Sequence, residues 1–438
     1  MTAALIGALA VPALAGAALL VLGRRLDRAA GVLGVAAAAA VLVLVLLAPR
    51  GAAAQPFVPG GALVVAVDGL PVLVLVLVAA VSLAVLVWAA AERQGARFTG
   101  LMLVFVAAVV LTASAATLPA LLAGWEVMGA TSGLLIALHL ADREAVAGGL
   151  TAFVTTRTAD LGLYLAVGAA AAGGGGLALA DLPSAAPGWR DAVAAGVLVA
   201  ALGKAAQLPF SFWLARAMTG PSAVSALLHS AAMVAMGGYL LLRVQPLLAA
   251  TGWAGPVTAW IGALSAVLLG IVALGETDLK RLLAASTGAQ LGFVVLAAGV
   301  GATAGGTAQL LAHAVTKAAL FLVAGAWLAV WGQRRIADLA GAGRRDRVTG
   351  VVATVAAASL AGLPPLSVWA AKDLLLAAAG PALLVAGLVG ALLSAAYSGR
   401  IVRTVWRPAA EGADATPVRV ALVAPAAVLA AAAVVLAN

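Results

Sequence analysis

The sequence predicts an all-α polytopic membrane protein of about fourteen transmembrane helices, and three observations carry that reading. Hydrophobic residues make up 65% of the 438-residue chain and charged residues only 9%, against about 25% charged in an average soluble protein. Apolar runs that meet the roughly 20 residues demanded by a bilayer core recur along nearly the whole length. Basic residues gather in every second connection between them. This balance excludes a water-soluble fold and implies one large helical membrane domain.

The apolar runs fall at about 3-23, 30-48, 69-91, 99-116, 118-140, 145-172, 191-215, 222-248, 254-274, 282-302, 304-331, 348-378, 380-405 and 417-437. The first has no basic residue before it and Arg24, Arg25 and Arg28 after it. A secretory signal has the opposite order, so this run reads as a retained span. Connections after odd-numbered spans hold Arg24, Arg25 and Arg28; Arg93 and Arg97; Arg143; Arg216; Lys280 and Arg281; Arg334, Arg335, Arg344, Arg345 and Arg347; then Arg400, Arg403 and Arg407. Even connections hold chiefly Arg50, Arg190 and Arg243. By the positive-inside rule the odd connections are cytoplasmic, which puts both termini outside a bacterial inner membrane. Gly173 to Gly176, in an even connection, follow no strand and read as a flexible loop, not a phosphate cradle. Trp88, Trp253, Trp331 and Trp406 lie toward the ends of their runs, as in an interfacial belt.

The net charge of +9 does not indicate nucleic acid, because the arginines sit in short groups between apolar runs and are explained by topology. There is no cysteine, so the chain supplies neither thiolate ligands for an iron-sulfur cluster nor a disulfide. No cofactor or metal is expected, and any electron transfer belongs to a partner.

Two spans read as broken. The seventh contains Leu208-Pro209 and the twelfth Gly362-Leu363-Pro364-Pro365. Proline removes an amide donor and clashes with the preceding turn, and a break inside a membrane is tolerated only where protein or trapped water satisfies the freed carbonyls. The breaks at Pro209 and Pro364 lie five spans apart, an odd offset that reverses orientation. Inverted five-helix repeats of spans four to eight and nine to thirteen would produce this, and matched interruptions point to a transport pathway. The chain accordingly divides into N-terminal helices (1-98), a first half-channel (99-249), a second half-channel (250-407) and a C-terminal helix (408-438).

Glu126, Arg157, Asp160, Lys204, His229, His313, Lys317, Lys372 and Asp373 all fall inside predicted spans. A charge at a helix centre costs roughly 2.5 to 3.5 kcal/mol on insertion scales, so a chain that keeps this many uses them. Gln309, His313 and Lys317 stand at i, i+4 and i+8 and form one polar stripe. Arg157 and Asp160, three apart, share a face and form either a self-paired structural couple or a support to the others.

The motifs that surround these residues are Trp125-Glu126-Val127-Met128-Gly129, Gly203-Lys204-Ala205-Ala206-Gln207-Leu208-Pro209, Gly220-Pro221-Ser222 running to His229, Asp278-Leu279-Lys280-Arg281, His313-Ala314-Val315-Thr316-Lys317, and Ala361-Gly362-Leu363-Pro364-Pro365 with Lys372-Asp373. In this order, over residues 60 to 407, the chain resembles the antiporter-like, proton-translocating subunits of NADH:quinone oxidoreductase (respiratory complex I), most nearly the L-type subunit, and the related Mrp-type antiporters. The resemblance implies that Glu126 pairs with Lys204, that His229 links toward the centre, and that Lys317, His313, Lys372 and Asp373 continue the relay. The physics agrees: a desolvated lysine tends to release its proton while a nearby carboxylate favours keeping it, so their separation acts as a switch. Two departures stand out. Gln309 replaces a frequent histidine and orders water without taking up a proton, and nothing after the fourteenth span could form the long lateral helix of L-type chains.

The function expected from the resemblance is proton translocation by a membrane subunit of a redox-driven complex, beside other membrane subunits and without a redox or hydrolytic site of its own. The alternative is a subunit of a cation/proton antiporter or of a proton-driven bicarbonate uptake system.

Overall fold

A computed structural model of the chain describes residues 2–58, 61–409 and 416–436. The apolar runs become helices α1 (Thr2–Leu22), α2 (Asp27–Leu47), α3 (Gly69–Ala91), α4 (Ala96–Ser114), α5 (Leu118–Ile136) and α6 (Arg143–Ala172). The next two runs are divided, into α7 (Pro187–Lys204) and α8 (Phe212–Arg216), then α9 (Ser222–Leu228) and α10 (Met233–Arg243). A short α11 (Gln245–Ala250) leads to α12 (Ala254–Gly275), α13 (Leu279–Val300) and α14 (Thr303–Trp331). The chain ends with α15 (Ala342–Arg345), α16 (Arg347–Ala361), α17 (Ser367–Leu376), α18 (Pro381–Trp406) and α19 (Val420–Val435). Counting α7–α8, α9–α10 and α16–α17 each as one crossing, and leaving out the short α11 and α15, gives the expected fourteen.

Hydrogen bonds between connections show which of them lie at the same end of the bundle. At one end, Ala96 N donates to Asp27 Oδ1 at 2.8 Å, Lys280 Nζ to the Gly220 carbonyl at 2.7 Å, Leu279 N to the Arg334 carbonyl at 3.0 Å, and Gly341 N to the Thr404 carbonyl at 3.2 Å. All of these join odd-numbered connections. At the opposite end, Ala116 N donates to the Val64 carbonyl at 2.8 Å and Leu179 N to the Ala116 carbonyl at 2.9 Å, joining even ones. The arginines of the odd connections therefore gather at a single end of the molecule.

The second connection holds an unexpected element, an antiparallel hairpin of β1 (Gly51–Val58) and β2 (Gly61–Val67) with Gly51 opposite Val67. It extends over the even end, where Val65 bridges to Ala115.

Close helix approach comes from paired glycines, as is usual where lipid removes the hydrophobic drive for helix association. A Cβ on Gly196 of α7 would lie 2.2 Å from the Gly162 carbonyl of α6, and a Cβ on Gly262 of α12 would lie 2.4 Å from the Leu296 amide of α13. Trp88 is corrected by the fold: it is fully buried against Gly325 of α14 and takes no part in an interfacial belt.

Both expected breaks are present. After α7 the chain turns through residues 205–211, with a cis peptide at Leu208-Pro209, and after α16 through residues 362–366, with a cis peptide at Pro364-Pro365. Protein groups take up the freed backbone. Trp213 Nε1 donates to the Gly203 carbonyl at 2.9 Å, Leu208 N donates to Ser265 Oγ at 3.2 Å, and Ser394 Oγ donates to the Leu360 carbonyl at 2.6 Å. A third interruption, residues 229–232 between α9 and α10, has no proline or glycine to announce it.

Candidate functional site

The first cluster assembles where α5, α6 and α7 meet. Lys204, the last residue of α7, is fully buried, and its Nζ donates to Asp160 Oδ2 at 2.9 Å. The other carboxylate oxygen, Asp160 Oδ1, accepts from Trp125 Nε1 at 2.6 Å, and the Lys204 ammonium lies 4.9 Å from the Trp125 ring centroid. Gly129 of α5 makes the approach possible, since a Cβ there would stand 3.3 Å from Lys204 Nζ. The motif around Trp125 thus supplies a donor, an aromatic face and a gap.

The expected partner of Lys204 is elsewhere. Glu126 forms an ion pair with Arg157, not with Lys204, and the two side chains are 17% and 39% exposed where those of Lys204 and Asp160 are 0% and 1% exposed. Residues 125 and 126 differ by about 100° around α5, so Trp125 faces the interior when Glu126 faces outward. Arg157 and Asp160 are not a self-paired couple: each serves a different partner on a different side of α6.

Beyond Lys204, Trp213 joins the break to the centre. Its indole donates to the Gly203 carbonyl, and its ring centroid lies 5.9 Å from that of His229, within the third interruption. His229 is fully buried, and neither imidazole nitrogen has a hydrogen-bond partner among the described residues. Buried polar groups are rarely left so, and internal water is the usual partner. Gln207, in the first break, donates to the Gly288 carbonyl of α13 at 3.1 Å and so ties the break to the second half.

The second cluster lies among α13, α14, α16, α17 and α18. Lys317 is fully buried and donates to the Leu283 carbonyl at 2.9 Å and to Ser286 Oγ. His313, one turn away, is fully buried, has no hydrogen-bond partner on either nitrogen among the described residues, and lies within electrostatic reach of both Lys317 and Lys372. Lys372 Nζ also lacks a hydrogen-bond partner among the described residues and rests 4.8 Å from the Phe293 ring centroid, beside Gly362 of the second break. Among the described residues neither lysine has a carboxylate partner. Asp373 is exposed on the outer side of α17 and does not join the cluster.

Gln309 anchors a chain of side chains: its Nε2 donates to Gln290 Oε1 at 2.9 Å, and Gln290 Nε2 donates to Ser394 Oγ and Tyr397 Oη, each at 2.7 Å. Its own Oε1 is buried and unpartnered. Gln290, Ser286, Trp213 and Gln207 were not singled out by charge or hydropathy, because neutral polar residues scarcely disturb an apolar run. Lys280, counted with the connections, is in fact 5% exposed inside the first turn of α13 and lies within electrostatic reach of His229.

The molecule is therefore a polytopic helical membrane protein whose two proline-broken spans each adjoin a cluster of buried ionisable side chains. Over residues 115–396 the chain matches the family described as NADH:quinone oxidoreductase/Mrp antiporter, TM, and it belongs to that family. The NADH-quinone oxidoreductase subunit L of Pseudomonas aeruginosa is 35% identical over 352 residues, covering 76% of this chain and 57% of the relative. That of Escherichia coli is 34% identical over 359 residues, covering 77% and 58%. The chain thus spans less than two thirds of the length of these relatives. Among solved structures, respiratory complex I from Thermus thermophilus with bound NADH contains a chain that superposes with a TM-score of 0.87 at 25% identity, covering 99% of this chain and 95% of that one. The Mrp complex from Dietzia sp. DQ12-45-1b gives 0.86 at 28% identity, covering 99% and 50%.

Proposed function

We propose that this chain translocates protons as one membrane subunit of a redox-driven complex, through residues 99-249 as a first half-channel and 250-407 as a second. The observation that carries the reading is the fully buried Lys204–Asp160 pair at the edge of a helix break. A buried pair is held by its mutual attraction against a desolvation penalty of several kcal/mol per ion, so a small change in separation decides whether the lysine holds its proton. Trp213 and His229 lead from this pair toward Lys317 and His313, and Lys372 lies at the second break. The names of the subunit L relatives support the redox-driven assembly. Arg157 supports a membrane partner: it lies midway along the thirty-residue α6 and is 39% exposed, a costly position against lipid and a natural one against another subunit.

In this reading the arginine-rich end is cytoplasmic and the hairpin end external. The likeness to the Mrp complex favours cation/proton exchange as the second reading. Both are tested with the complex reconstituted in vesicles. Lys204→Ala is expected to lower redox-driven proton flux at least tenfold while assembly is retained. Unchanged flux overturns the relay, and flux driven by an imposed sodium gradient without electron donor selects the exchanger.

A further inference from the structure

The arginine-rich end carries a cavity of about 620 Å³ that the proton pathway does not use. One wall is the segment of Ile336, Ala337 and Ala340, and the other is the last two turns of α18, with Arg400, Arg403 and Arg407. Arg400 and Arg403 stand one turn apart on one face of α18, and Arg407 follows directly after its end. Ala396 and Gly399, also in the lining, leave the room between them.

The three cations are not equivalent. Arg400 Nη1 donates to the Leu274 carbonyl at 2.6 Å and to the Glu276 carbonyl at 2.8 Å, which fastens α18 to the end of α12. Arg403 and Arg407 are exposed and have no hydrogen bond or ion pair through their guanidinium groups among the described residues. Among the described residues, Glu276 pairs with Arg281 at 3.7 Å and Asp278 with Arg334 at 3.2 Å. Asp338 is exposed and does not line the cavity. Two free guanidinium groups over a small-residue floor are suited to a tetrahedral anion, which arginine grips with paired donors.

What continues from the cavity selects the anion. Val385, Leu388 and Leu392 are exposed along α18 at 62%, 54% and 71%, and the same helical face runs on through Ala396 and Gly399 to Arg403. An apolar stripe that ends in a basic cavity at the mouth of a membrane helix matches an acyl chain below a charged headgroup. We propose that this cavity seats the phosphate of an anionic phospholipid, with its acyl chains running down α18 past Gly399 and Ala396 to Leu392.

The test uses the full chain, delipidated in detergent, and a fluorescent phosphatidylglycerol as probe. Unlabelled phosphatidylglycerol is expected to displace it, whereas phosphatidylcholine and millimolar inorganic phosphate are not. The double variant R403Q/R407Q, which leaves the structural Arg400 in place, should bind about fivefold more weakly for each arginine removed. R403K/R407K should recover part of the loss. R24Q/R25Q removes two exposed arginines at the same end, away from the cavity, and should bind as wild type, with thermal melting confirming that every variant is folded. Displacement by phosphatidylcholine would reduce the site to an apolar groove, and displacement by phosphate would make it a free-anion site. Either result overturns the proposal, as do wild-type binding by R403Q/R407Q and an equal loss in R24Q/R25Q.

Discussion

At the scale of single residues, the partner of Lys204 decides which side chains are expected to matter most. Removing one member of a buried ion pair leaves an uncompensated charge at about 3–5 kcal/mol, so Asp160→Asn should lower proton flux by tenfold or more and also lower the melting temperature. Glu126→Gln leaves a partly exposed Arg157, so its loss should be smaller. Proton flux in reconstituted vesicles at matched expression checks the order; an Asp160→Asn variant as active as wild type would remove Asp160 from the pathway. Both acids are charges within predicted spans, and the resemblance picks Glu126 as the partner of Lys204, whereas the structure pairs Lys204 with Asp160 and Glu126 with Arg157. The choice rests on the rotation of α5, which turns Trp125 inward, and on the crossing of α6 over α7, neither of which hydropathy encodes. Asp373 shows the same limit: it is adjacent to Lys372 in sequence and faces the other way in space.

At the scale of elements, the proline breaks were legible because proline changes backbone chemistry locally, whereas the interruption at residues 229–232 depends on tertiary packing. The hairpin at Gly51–Val67 is hard to read from the sequence because neither GAAAQPFV nor GALVVAV alternates apolar with polar residues; the Pro59-Gly60 dipeptide is the one turn signal, and it lies outside the described residues. Helix contacts supply the prediction here. Gly196 and Gly162 bring α7 onto α6 and so set the distance from Lys204 to Asp160. Gly196→Leu forces the helices apart, with an expected destabilisation of about 2–3 kcal/mol and a proportionate loss of flux. Gly168→Ala, also on α6 but with nothing within 4 Å of its added Cβ, serves as the control and should melt and conduct as wild type. Equal melting of the two variants would show that the glycine contact does not hold the pair.

At the scale of the whole molecule, the alternation of basic connections and the hydrogen bonds between connections are independent observations that agree. The first concerns insertion, where lysine and arginine are retained on the cytoplasmic side; the second concerns packing, where odd connections bind odd and even bind even. Packing fixes which connections share an end but not which end is inside, so the orientation still rests on charge. The sequence offers a direct way to measure it, because the chain contains no cysteine and each introduced thiol is the only one present. Ala54→Cys, exposed on β1 of the hairpin, is expected to react with a membrane-impermeant maleimide added to intact cells. Ala337→Cys, exposed on the arginine-rich end, should react only after the membrane is opened. The opposite pattern would invert the molecule and direct the relay the other way across the membrane. Labelling of both in intact cells would mean that the spans between them do not cross an odd number of times, which would break the fourteen-span count itself.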